Sequence, residues 1–224
     1  MKKTVLVLAL AAFVTGGAFA HMFSAGGGTL FGGGRLGSVS GSGDYTSADM
    51  HMNAFNLGSF LFLDATFVEL SIATVIGTTW EDYDVSLNGI NERGSAIGSL
   101  ISLDFTLLGK YPFAVASNFS IFPLLGVSYT VVFFEEMDGD TAGTPFHFNT
   151  FRLLLGFGGD INITSRLFLR ASLLGYYRFA SRVFRDMPRD LRDIAIFYSS
   201  DYGFSADHSG GFGGELRLAV GFRF

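Results

Sequence analysis

GELRLAVGFRF, residues 214–224, decides the reading of the chain. Leu216, Leu218, Val220, Phe222 and Phe224 take every second place, with Glu215, Arg217, Ala219, Gly221 and Arg223 between them. Strict period two marks a strand whose two faces meet unlike surroundings. The rest of the sequence must say what each face meets.

At the other end, Lys2 and Lys3 precede the apolar run VLVLALAAFV, and Ala18-Phe19-Ala20 precede His21. A basic start, a short apolar middle and a small-x-small site are the parts of a cleaved export signal, here 1–20 with cleavage before His21. The apolar middle is short for a membrane-spanning helix. The expected mature domain is 21–224. No cysteine occurs, so neither a disulfide framework nor a lipid-anchor cysteine is expected. Setting aside Lys2 and Lys3 leaves 13 of the 15 basic residues against 20 acidic ones, a net charge of −7. That balance argues against nucleic acid as a partner. With 26 Phe, 30 Gly and only 16% charged residues, the chain has more apolar surface than one small core hides. Part of that surface is expected to face lipid.

Spanning helices are a weaker reading than spanning strands. The charge-free stretch YPFAVASNFSIFPLLGVSYTVVFF, 111–134, is long enough to cross as a helix, but it carries Pro112, Pro123, Asn118 and several hydroxyl residues. Its Phe, Val, Ile, Tyr and Thr favour a strand, read here from Phe119 to Phe134. Seven more strands follow the same alternation: 23–35, 54–63, 67–79, 97–109, 150–159, 167–180 and the tail. Between them, long polar segments (36–53, 80–96, 135–149, 181–211) alternate with shorter links (64–66, 110–118, 160–166). Long extracellular loops and short periplasmic turns are the pattern of transmembrane barrels, and an even count puts both termini on the periplasmic side. The expected fold is all-β: a closed antiparallel eight-stranded transmembrane up-and-down barrel in a bacterial outer membrane.

An alternating apolar tail ending in an aromatic residue, carried here by Leu216, Leu218, Val220, Phe222 and Phe224, resembles the C-terminal signature of bacterial outer-membrane proteins. The resemblance implies recognition by the barrel assembly machinery through that strand. Over the mature chain the layout resembles the small eight-stranded barrels of the OmpX, OmpA-domain and OmpW types.

By parity, Glu69, Asp104, Arg152, Arg170, Arg178, Glu215, Arg217 and Arg223 point into the barrel. Charges of both signs in a low-dielectric tube need partners, so a network filling the lumen is expected. Phe60, Phe62, Phe122, Leu124, Leu154, Phe168 and Leu174 share the inward parity. A partly apolar lumen resembles the OmpW type, which implies a narrow path for small hydrophobic molecules. Trp80, Tyr83, Phe133, Phe134, Phe222 and Phe224 are placed as interfacial girdles. In 183–198, Phe184, Met187, Leu191 and Ile194 recur at three and four residues and Pro188 suits a first helical position, the pattern of a short amphipathic surface helix.

An enzyme is the remote reading. Ser47, Asp49 and His51 lie in one expected loop and Asp207, His208 and Ser209 in another, but nothing in the spacing fixes a base against a nucleophile. His51, His147 and His208 lack metal-ligand spacing. GGGTLFGGG lacks the Lys-Ser/Thr ending of a phosphate loop. No cofactor is expected. The expected role is non-enzymatic: a barrel that presents surface loops and admits small hydrophobic molecules. The alternative is a closed structural or adhesive barrel whose loops bind a host or neighbouring molecule, and the remote alternative is an enzyme acting on lipid A.

Overall fold

The alternation that marks the tail runs around a whole cylinder. The computed structural model describes residues 23–42, 46–87, 90–136, 146–179 and 205–224. The strands are β1 (Ser24–Ser42), β2 (Thr46–Ala65), β3 (Val68–Leu87), β4 (Ile90–Lys110), β5 (Phe113–Ala116), β6 (Phe119–Glu136), β7 (Phe146–Asn162), β8 (Leu167–Arg178), β9 (Ser205–Ser209) and β10 (Gly211–Arg223). Eight of them form the barrel, each antiparallel to the next in chain order, and β10 closes on β1 from Ser24↔Arg223 to Gly34↔Gly213. Short β5 pairs β6 at one end, and short β9 pairs β1 at the other. Closure removes the unpaired edges that a sheet otherwise presents, which a strand in lipid requires.

The tail's two faces are now assigned. Leu216, Leu218, Val220 and Phe222 are exposed on the outside, whereas Glu215 and Arg217 are buried inside. The same outward belt continues on every neighbour, with Leu61, Leu70, Phe105, Leu125, Phe157 and Leu173 all exposed. Aromatic residues edge it. Phe222 packs edge-on against Phe224, and Tyr111 packs between Phe67 and Phe113 at the same end, while Tyr177 and Phe179 sit toward the other. Ten residues separate outward Phe212 from outward Phe222 on β10. At about 3.4 Å each and a tilt of roughly 40°, they rise about 26 Å, close to the ~25 Å apolar band of an outer-membrane barrel.

Two of the four expected long loops are strands instead. The segment 36–53 is the top of the β1–β2 hairpin, paired through Ser42↔Ser47, and 80–96 is the top of β3–β4, paired through Leu87↔Ile90. β2, β3 and β4 run 20, 20 and 21 residues, about twice what a tilted crossing needs. The far ends of these strands are mostly polar on both faces, so they lack the apolar alternation that reveals a half-buried strand. His51, His147 and His208 accordingly lie on β2, β7 and β9 rather than in loops. Trp80 stays on the outer face but within β3, not beyond its end. The link 110–118 contains the β5 strand rather than a plain turn. Phe67 sits half-exposed in the tight β2–β3 link against Tyr111, next to Thr66, which turns through a positive φ of 54°. The export signal with Ala18, Ala20 and His21, most of 135–149, and the 183–198 helix lie outside the described residues.

The glycine content has a packing cause. Three inward phenylalanine rings are each seated where a neighbouring strand offers no side chain: Phe62 over Gly26, Phe122 over Gly158 and Phe168 over Gly221. A Cβ at any of these positions would overlap the ring. Gly221→Val is therefore expected to cost about 1–3 kcal/mol by overpacking. Urea unfolding of the refolded barrel in detergent measures it, and Phe168→Ala in the same chain should recover most of the loss.

Candidate functional site: the packed lumen

Seven of the eight charged residues expected inside are there and buried: Glu69, Asp104, Arg152, Arg170, Arg178, Glu215 and Arg217. Arg223 is the exception, because it lies at the rim where β10 ends and its side chain stays 20% exposed. All seven expected inward apolar residues, Phe60, Phe62, Phe122, Leu124, Leu154, Phe168 and Leu174, are buried as well.

The charges form two clusters. Nearer the short links, Arg170 on β8 is held by three carboxylates from three other strands. Its Nη1 donates to Glu69 (2.5 Å), its Nη2 to Asp64 (2.7 Å), and its Nε and Nη2 to the two oxygens of Asp160 (2.7 and 2.8 Å). Its guanidinium carbon also lies 4.8, 5.2 and 5.1 Å from the ring centres of Phe62, Phe122 and Phe168. Distances of this kind let a cation meet the negative face of a ring. Lys110 pairs with the same Asp64, and Arg223 reaches Asp160 at 3.7 Å and Asn162 at 2.6 Å. Three cations thus meet three carboxylates, with no net charge to expel.

Sequence reasoning missed Asp64, Lys110 and Asp160 because each falls at a strand end and was counted with the links. The signal was available. Continuing the inward alternation one step, from Phe62 to Asp64, Leu108 to Lys110 and Gly158 to Asp160, finds all three.

The second cluster lies farther along the axis. Arg152 on β7 donates to Asp104 (2.6 Å), Ser128 (3.0 Å) and Glu215 (3.5 Å). Arg217 donates to Glu215 (2.5 Å) and to Ser71 (3.1 Å), with its guanidinium 5.4 Å from the Phe60 ring. Arg178 stands beside Arg152 across the Tyr176 ring. Around these groups the lumen keeps a cavity of only about 20 Å³. That is room for one water-sized occupant.

The groups weighed for catalysis and metal binding lie elsewhere. His51 Nε2 is 3.5 Å from Asp49 on the same strand, both partly exposed, and Ser38 faces His51 across β1–β2. An exposed pair of this kind contributes little. Among the described residues, no group of three His, Cys, Asp or Glu side chains is arranged to hold a metal.

The chain is a closed antiparallel eight-stranded barrel with an apolar belt outside and a charge network inside, the architecture that small outer-membrane β-barrel proteins share. The chain is similar in fold to the outer membrane protein OprG from Pseudomonas aeruginosa, with 16% identity over 92% of this chain and 96% of that one and a TM-score of 0.48. It is likewise similar to Neisserial surface protein A (13% identity, 90% and 97% covered, TM-score 0.43). A third likeness is to Ail, the attachment invasion locus protein of Yersinia pestis (14%, 90% and 99%, TM-score 0.35). No protein-family model and no curated protein sequence matches the chain.

Proposed function

We propose that the protein is a closed, non-enzymatic structural barrel of the outer membrane, which carries no solute through its lumen and displays strand-built hairpins outside the cell. One observation carries this reading: Arg170 is fixed by carboxylates of three strands and three phenylalanine rings, so the bore is filled by covalently anchored, mutually paired groups. A sideways path fares no better, since each of the eight barrel seams is paired through the belt. In this reading the tight links at 65–67 and 163–166 and both termini face the periplasm. The long β1–β2 and β3–β4 hairpins then project outward, where a host or neighbouring molecule meets them. The C-terminal strand β10, which closes the cylinder, is the part offered to the assembly machinery.

Conductance tests the reading. The refolded mature barrel in a planar bilayer is expected to be electrically silent, and proteoliposomes bearing it are expected to take up a small hydrophobic dye no faster than empty ones. A steady conductance or faster dye uptake would overturn the closed reading and restore the channel.

A further inference from the structure

Among the described residues the second charge cluster is not balanced. Arg152, Arg178 and Arg217 are all buried there, and the carboxylates beside them are Asp104 and Glu215. Asp104 is engaged by Arg152, and Glu215 is shared between Arg217 and Arg152. Arg178 has no carboxylate partner among the described residues, though only 4% of it is exposed. Its Nε and Nη1 are buried without an acceptor, as is Nε of Arg152. A guanidinium cannot shed its proton to escape this situation. An unpaired buried cation is among the costliest groups a fold can hold.

Arg178 and Arg152 both line the 20 Å³ cavity, to which every one of the eight barrel strands lends a residue. Three further lining residues have a buried side-chain atom without a partner, the hydroxyls of Thr130 and Tyr176 and the side-chain oxygen of Asn56. A hydroxyl is able to donate as well as accept. The site therefore offers guanidinium N–H groups, hydroxyls, one uncompensated positive charge and space for a single small occupant. We infer that this cavity binds one monovalent, halide-sized anion, held by Arg178 and Arg152 with Thr130 as a third donor. Its size rejects phosphate and sulfate. The charge count favours an anion over water, because water would leave Arg178 uncompensated.

Bromide is the direct probe. Crystals of the mature barrel soaked in bromide are expected to show an anomalous peak within hydrogen-bond reach of Arg178 Nε or Nη1. A side-chain carboxylate of the chain at that position, or density without an anomalous signal, would overturn the inference. In solution, the urea midpoint of the wild-type barrel should rise in chloride relative to gluconate at equal ionic strength. That rise should be lost in Arg178→Met and kept in part by Arg178→Lys. A wild-type midpoint indifferent to the anion would count against the site whether or not the Met variant folds.

Discussion

Arg170→Met is expected to lose about 3–5 kcal/mol of unfolding free energy, the largest single-residue effect in the barrel. Methionine fills much of the same space, so the loss is mainly electrostatic. With the guanidinium gone, Asp64 keeps Lys110 and Asp160 keeps the longer contact to Arg223, but the Arg170 contact to Glu69 has no replacement in this cluster. A buried carboxylate without a cation is costly, whereas the intact set of three against three is close to neutral in its net contribution. Adding Glu69→Gln to Arg170→Met should therefore restore part of the stability, and Glu69→Gln alone should cost less than Arg170→Met alone. A double-mutant cycle in urea measures that coupling. A loss under 1 kcal/mol would mean that the clamp does not hold the lumen together.

The second large effect lies on the opposite face. Leu173 is 48% exposed, midway along β8, and pairs with Phe157 on one side and Leu216 on the other. If this belt meets hydrocarbon, Leu173→Arg costs about 2–4 kcal/mol in lipid vesicles, the depth-dependent penalty for a cation near the midplane. The control is the same residue type placed on the long hairpin. Ser95 is exposed on β4 opposite Asp82. Ser95→Arg should therefore change stability by no more than roughly 0.5 kcal/mol, as an ordinary surface substitution does. Equal costs at the two positions would remove the distinction between belt and hairpin.

How much of this was legible in the sequence follows from what each face meets. Within the belt the contrast between the exposed outer face and the buried lumen is written at every second residue, so strands such as β8 and the tail are legible, as is the inward set around Arg152 and Arg170. In the upper parts of the β1–β2 and β3–β4 hairpins the residues are mostly polar on both faces, so 36–53 and 80–96 show no apolar periodicity and read as loops. At the lower rim, Asp64 and Asp160 were lost because an acidic residue beside a turn looks like part of the turn. The matching of Phe62, Phe122 and Phe168 to Gly26, Gly158 and Gly221 was beyond sequence reasoning for another reason. It depends on cross-strand neighbours, fixed by registers such as Gly221↔Phe168 that no local pattern contains. The imbalance at Arg178 was hidden likewise, since it appears only once each carboxylate has been given its partner.

The central claim is that the outward face of the tail lies in lipid. The chain has no cysteine, so single cysteines at Leu216, Leu218 and Val220, with one at Asp49 as the aqueous reference, can each carry a spin label without background. In liposomes, the three tail labels should relax readily with oxygen and be shielded from a water-soluble nickel chelate, while the label at Asp49 shows the reverse. Free access of the nickel chelate to the labels at Leu216, Leu218 and Val220 would contradict the account.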